Sequence, residues 1–260
     1  MSELKSKNRP YQIKSESVRK LSVDLWKSGL HGKEVGFKKQ EEYMAKNRQF
    51  TKDMDIIGEI KEDGKDSGTI GVRESILNDR LVLKAFTGAL GWIGSLEETV
   101  AREVSHSYLL KKNFPSYIVN ASGDDYIIEL QKFFGGLGKK EKFCFSIIFE
   151  NNIMDTFIIE EVRMGLGDDW VVKTIDEYKV AHLDGKKLDI GGQWDISFYS
   201  NELAKDKGFV ATLILFAASR KYHKDVEKRI GNLINERKKS KHIVLDNDEI
   251  TLYRNPRTKR

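Results

Sequence analysis

The sequence predicts a mainly β (α+β) protein in which an antiparallel barrel or strongly curved sandwich surrounds one hydrophobic helix near the C-terminus. Two patterns lead to this fold class. From about residue 108 the chain is a succession of short segments rich in Ile, Val, Phe and Tyr, separated by turn sequences such as NASGDD, GLGDD and LDGKK. An uncharged, mostly apolar stretch follows at residues 208–219, and basic residues come directly after it.

This apolar stretch has hydrophobic residues around its whole circumference, which is typical of a helix buried on every side. At about 1.5 Å per residue it would span roughly 18 Å, whereas a bilayer core of about 30 Å needs about 20 apolar residues. We therefore predict a buried core helix, with a membrane-dipping segment and a buried strand as the alternatives. Its predicted core residues are Phe209, Leu213 and Phe216.

Residues 1–52 are predicted to form a basic helical N-terminal extension. In the segment SESVRKLSVDLWKSGLHG a helical period places four apolar residues on one face, namely Val18, Leu21, Leu25 and Trp26. Residues 34–50 continue with a weaker, highly charged helical pattern.

The predicted barrel-like domain covers residues 53–220. Its first part, residues 54–74, has the pattern of a strand, a turn and a second strand. Residues 75–105 stay open between a helix and short strands, because their apolar helix formers are interrupted by three glycines.

Residues 221–260 are predicted to continue the core helix in amphipathic form and to end in a hairpin and a basic tail. Apolar residues keep a helical period as far as about residue 238. The segment HIVLDNDEITLY then predicts a hairpin around Asp246 and Asn247.

Five pieces of the chain follow one another in an order known from other proteins: DDYIIEL, GDDWVV, VAHLDGKKLDI, GQWDISF and residues 208–219. This order resembles the tubby C-terminal-like superfamily, which includes phospholipid scramblase-like and LURP-one-related proteins. In that superfamily a closed antiparallel barrel wraps one hydrophobic helix, and tubby-type members bind anionic phosphoinositides through surface lysines and arginines. The resemblance implies an enclosed helix and an anionic lipid partner, and it implies no catalytic residue. The basic N-terminal extension and the part after residue 219 are additions to that pattern.

The N-terminus and the single cysteine indicate the cellular location of the protein. Residues 1–10 are polar, which predicts no secretory signal. Cys144 cannot form an internal disulfide, and its apolar neighbours favour a buried structural thiol. A cytoplasmic location is expected, either free or peripheral to a membrane.

Charge is unevenly distributed along the chain. Residues 1–52 hold 13 lysines and arginines against 6 acids, and residues 207–260 hold 14 against 6. Residues 53–206 hold 18 against 28. Basic ends around an acidic centre favour an anionic partner at the ends, while the alternative is that the ends dock on the acidic centre of the same chain.

Two places are candidates for anion binding. Lys139 and Lys140 follow the glycine-rich turn FFGGLG, which lacks phosphate-loop spacing but offers backbone N–H groups and two cations. The densest basic cluster lies where the long helix is expected to end and consists of Arg237, Lys238, Lys239 and Lys241. Cations there also complement the helix dipole, so a structural role competes with binding.

One pattern suggests an enzyme. Glu59 and Lys61 form a Glu-x-Lys pair on a predicted strand, with Asp53 and Asp55 shortly before it. In one large nuclease class such carboxylates hold Mg²⁺ and the lysine assists the attacking water. The five histidines are scattered without the paired spacing of a metal site, so no resident metal or cofactor is predicted.

The preferred functional hypothesis is a non-enzymatic binding protein for an anionic partner, namely an acidic membrane surface or a lipid headgroup. The first alternative is RNA or a ribonucleoprotein, which basic ends at both termini favour. The second alternative is a metal-dependent nuclease that uses Glu59 and Lys61.

Overall fold

The structure is a computed structural model that describes residues 9–26, 49–51, 53–133, 140–162, 168–186, 192–239 and 242–254. The described residues form twelve strands: β1 (Arg19–Leu25), β2 (Met54–Glu62), β3 (Lys65–Arg73), β4 (Val82–Thr87), β5 (Trp92–Glu98), β6 (Ser116–Ala121), β7 (Ile128–Phe133), β8 (Lys142–Phe149), β9 (Ile153–Val162), β10 (Asp168–Thr174), β11 (Lys179–Lys186) and β12 (Gln193–Phe198). They also form four α-helices: α1 (Val100–Leu110), α2 (Lys207–Ser219), α3 (His223–Lys238) and α4 (Asn247–Tyr253).

The twelve strands close into one antiparallel barrel. Each strand pairs with its neighbours in sequence, and β1 closes the barrel by pairing with both β2 and β12. In this register Val23 of β1 lies opposite Ile60 of β2 and Trp194 of β12, and all three side chains belong to the buried core. The predicted mainly β fold is confirmed in its barrel form, and the sandwich alternative is not formed.

The helix predicted around Leu21 and Leu25 is wrong, because this segment is strand β1. Its side chains alternate between the two faces, and Leu21, Val23 and Leu25 are buried in the barrel. Leu21 and Leu25 satisfy both the helical and the strand period, so the local pattern did not separate the two. The barrel therefore begins inside the predicted extension 1–52, whose helical pattern at residues 34–50 lies outside the described residues except for the last two.

Residues 75–105, which the sequence left open, form β4, β5 and the start of α1. Gly94 of β5 permits two close approaches. A Cβ at this position would lie 2.8 Å from the carbonyl oxygen of Asn120 and 3.0 Å from the Cβ of Ala211 in α2. Glycine thus allows β5 to pair with β6 while α2 packs directly against the strand.

Helix α2 fills the barrel. Every residue from Gly208 to Ser219 is buried, and the predicted core residues Phe209, Leu213 and Phe216 have no exposed surface. Asp206 begins the helix, because its carboxylate accepts the backbone N–H of Phe209 at 2.7 Å. No helix in the described part of the chain is long and apolar enough to cross a membrane.

Aromatic rings hold the C-terminal half of α2 to the barrel wall. The ring of Phe216 lies 5.1 Å from that of Phe143 in β8 and 5.2 Å from that of Trp170 in β10, both in edge-to-face geometry. Such pairs add to the free energy of burial by about 0.5–1.5 kcal/mol each.

Beyond α2, the predicted continuation of the helix is confirmed, and the predicted hairpin is wrong. A 3₁₀ turn at Arg220–Tyr222 leads into α3, so the helical run reaches Lys238 as predicted, with Val226 and Ile230 buried. The predicted hairpin around Asp246 is wrong, because this residue starts helix α4. Its carboxylate accepts the backbone N–H groups of the second and third helical residues, an N-cap arrangement that the turn-like pair Asp-Asn also permits.

We expect Phe216→Ala to lower the free energy of unfolding by about 3–5 kcal/mol, because it removes a fully buried ring that the barrel cannot collapse around. Denaturant unfolding measures this difference. Val244→Ala is the matched control, since Val244 is 91% exposed and should change stability by less than about 0.5 kcal/mol. An unchanged unfolding midpoint for Phe216→Ala would contradict the enclosed helix.

Candidate functional site

The barrel has two different ends. At the helical end α2 stops and α1, α3 and α4 gather over the strands, as shown by the ion pair between Arg229 of α3 and Glu98, the last residue of β5. The opposite end, which we call the mouth, is where α2 begins after Asp206. The predicted basic cluster lies at the helical end.

A groove of about 850 Å³ lies between α1 and the C-terminal part of α3. This α1–α3 groove is lined by Ala101, Val104, Ser105, Tyr108, Arg237, Lys238, His242, Ile243 and Leu245. Two members of the predicted cluster, Arg237 and Lys238, are thus brought to a concave surface. Lys239 is exposed at the end of α3, and Lys241 lies outside the described residues.

Apolar side chains stand exposed beside this groove. Tyr108 and Leu109 at the end of α1 are 57% and 74% exposed, and Leu110 is also exposed. Lys111, in a left-handed conformation, ends the helix directly after them. Sequence analysis missed this surface, although the segment SYLLKK places apolar and basic residues side by side.

Buried charges position α1 and α3 against the barrel. The guanidinium of Arg229 pairs with both carboxylate oxygens of Glu98 and donates to the carbonyl oxygen of Leu77 at 3.1 Å. On α1, Glu103 accepts the backbone N–H of Ser116 at 2.8 Å. Burial, followed by the neighbouring Glu98 carboxylate, raises the pKa of Glu103 well above its usual value.

Helix α4 is tied to the same end by two side chains. Fully buried Arg80 lies 2.5 Å from Asp246 and 3.1 Å from Glu97. Glu249 of α4 accepts the backbone N–H of Ala101 at 3.0 Å, in the first turn of α1. These contacts hold α4 against the barrel and against α1, whose Ala101 lines the groove.

The candidate pair Lys139 and Lys140 is only partly described. Lys139 lies outside the described residues, and Lys140 is half-buried two residues before β8. The next residue, Glu141, lies 3.0 Å from Arg220, 2.5 Å from Lys132 and 3.2 Å from the imidazole of His223. Among the described residues, Lys140 forms no ion pair and lines no pocket with Arg237, Lys238 or Lys239.

One group of described side chains has the geometry of a metal site. Ligand atoms of Glu141, His223 and Glu227 lie within 4.8 Å of one another. The ammonium of Lys132, however, contacts Glu141 and also Glu227, the latter at 2.8 Å. The protein's own cation thus balances the two carboxylates, and this arrangement favours an ion-pair network over a metal site.

The Glu-x-Lys pair does not assemble into a catalytic cluster within the described residues. Glu59 is buried and forms an ion pair with Lys61, which also lies 3.8 Å from Asp24. Asp53 instead binds Arg73 at 3.0 Å and Ser75 at 2.5 Å. Burial alone would raise the pKa of Asp53, but hydrogen bonds from Ser75, from Thr51 and from Arg73 lower it to about 2.

The intramolecular interpretation of the charge asymmetry holds for part of the basic residues. Several basic residues of the two ends dock on the acidic centre, namely Arg9 on Asp176, Arg19 on Glu62 and Arg220 on Glu141. Lys238 and Lys239 are exposed, and among the described residues neither forms an ion pair. These two lysines are therefore available to an outside partner.

Comparison with known proteins gives no match: no family model fits the chain, and neither a curated protein nor a solved structure is significantly similar to it. The likeness to the tubby C-terminal-like superfamily therefore stays a prediction. The functional argument rests on the geometry of the helical end.

We expect Glu141→Gln to lower stability at neutral pH by about 1.5–3 kcal/mol, the range for hydrogen bonds to charged groups. Burial would raise the pKa of Glu141, but the hydrogen bond from His223 and the charges of Arg220 and Lys132 outweigh it and hold this pKa well below the usual range. The folded state thus favours the carboxylate. Its contribution is present above the unfolded pKa of about 4.3 and is lost as pH falls through the lower folded value.

Denaturant unfolding at a series of pH values checks this, and the difference between the two proteins should shrink below about pH 4. Glu177→Gln is the control, because among the described residues the exposed Glu177 side chain pairs with Lys173 alone and should change stability by less than about 1 kcal/mol. A difference that stays constant down to the acid limit would contradict this account of Glu141.

Proposed function

We propose that the protein is a non-enzymatic binding protein that docks on an acidic membrane surface through its helical end. The observation that carries the proposal is the position of exposed Tyr108 and Leu109 beside the groove that holds Arg237 and Lys238. Apolar and basic side chains on one surface match the two layers of a membrane interface, the acyl boundary and the anionic headgroups.

The two parts of the surface would act differently. Each lysine or arginine near an acidic leaflet contributes about 1 kcal/mol of attraction, which salt weakens. Leu109 and Leu110 would gain from leaving water, and the ring of Tyr108 suits the boundary between apolar and polar layers. This combination distinguishes membrane docking from a purely structural role of the cations at the end of α3.

RNA is less well matched by the same surface. Lys238 and Lys239 would contact phosphates and Tyr108 would stack on a base. Exposed leucines, in contrast, have no counterpart in a polar sugar-phosphate backbone. The leucines of α1 therefore favour the membrane, and the test below separates the two partners.

The helices around the groove are held in place by contacts within the protein. Glu103 of α1 is bound to the backbone of Ser116, and Glu249 of α4 is bound to the first turn of α1. Because the helices are already ordered, binding does not have to order them. A small number of contacts can then give a higher affinity.

We expect the affinity for acidic vesicles to fall roughly a hundredfold in the variant Arg237→Gln, Lys238→Gln, Lys239→Gln. The reason is that each cation contributes about 1 kcal/mol of attraction. Flotation with vesicles of phosphatidylcholine and phosphatidylserine measures it, with phosphatidylcholine alone as the lipid control. The matched protein control is Lys14→Gln, Lys20→Gln, Lys65→Gln, which removes three exposed charges elsewhere and should bind as the wild type does.

A second variant, Leu109→Ser with Leu110→Ser, should weaken flotation without changing its dependence on salt, because it removes only apolar contacts. Equal flotation of the wild type and the triple α3 variant would overturn the proposal. A salt-sensitive electrophoretic shift of RNA, without vesicle binding, would assign the surface to RNA instead.

A further inference from the structure

The mouth of the barrel holds a second cavity, at the opposite end from the α1–α3 groove. It has a volume of about 430 Å³ and lies among the ends of β1 to β5 and the first turns of α2. Pockets for small ligands have volumes of about 300–1,000 Å³ and are mostly apolar with a few polar groups.

The apolar walls of the cavity come from strands and helix together. Leu21 and Ile60 of the strands and Val210 and Ile214 of α2 line it. Val210 is 8% exposed, more than any other apolar residue of α2.

The rim of this cavity is cationic. Lys205 and Lys207 both line it, both are exposed, and among the described residues neither forms an ion pair. Of the nearby acids, Glu62 accepts two hydrogen bonds from Arg19, Asp206 caps α2, and Asp124 interacts electrostatically with Lys207. Lys205 therefore supplies the positive charge that remains available at the rim.

Trp92 also lines the cavity, so its fluorescence can report on occupancy.

We propose that the mouth of the barrel binds an amphiphilic anion, an alkyl chain that ends in a carboxylate. The chain lies against Leu21, Ile60, Val210 and Ile214, where it replaces water next to apolar walls. The carboxylate meets Lys205 and Lys207 at the rim. This site is separate from the membrane-docking surface and does not depend on it.

Decanoate is the probe, with titration calorimetry for affinity and tryptophan fluorescence for location. We expect one decanoate per chain and a change in emission that is missing in Trp92→Phe. Val210→Phe fills the cavity from α2 and should abolish binding while it leaves the melting temperature equal or higher. Lys205→Gln with Lys207→Gln, at exposed positions that folding does not need, should weaken decanoate binding by roughly tenfold.

Lys238→Gln is the matched control, since it removes one exposed charge at the helical end and should bind decanoate as the wild type does. Decanol, which has no charge, should bind the wild type and the double lysine variant equally. The proposal is overturned if decanoate does not bind the wild type. It is equally overturned if neither Val210→Phe nor the double lysine variant changes its affinity, or if inorganic phosphate binds as tightly as decanoate.

Discussion

The enclosure of α2 is the constraint on which the rest of this structure depends. A helix without a polar face has to be buried on all sides, and a twelve-stranded barrel has an interior that side chains of the strands alone would not fill. Each therefore requires the other. Closure through β1 also removes the two free edges that an open sheet of eleven strands would expose.

Charged residues organise the helical end in a second layer outside this core. Arg80 and Glu98 are buried where strands meet helices, and their partners Asp246 and Arg229 are half-buried. Removing one partner of such a pair is costly, so these contacts fix where α1, α3 and α4 lie. What remains at the surface is the excess positive charge at the end of α3 and the apolar end of α1, which together form the proposed docking surface.

Much of the fold and part of the candidate site could be predicted from local patterns. Short β-rich segments with turn residues indicated the antiparallel strands, and hydrophobicity around the whole helix indicated the burial of Phe209 and Phe216. The turn predicted at LDGKK is wrong, because residues 183–186 belong to β11. Two other errors arose where one pattern fits two structures. Leu21 and Leu25 fit both a helix and a strand, and Asp246 suits both a hairpin turn and a helix start.

The sequence by itself determined which segments must be buried and where basic residues concentrate, because both properties depend only on neighbouring residues. Only the tertiary structure decided which cations are neutralised and which surfaces they share. Arg229 and Glu98 are 131 residues apart, and Arg19 and Glu62 are 43 apart, so their pairing depends on the path of the whole chain. The closure of the barrel likewise forms the groove between α1 and α3 and the cavity at the mouth. No local sequence pattern predicts this closure.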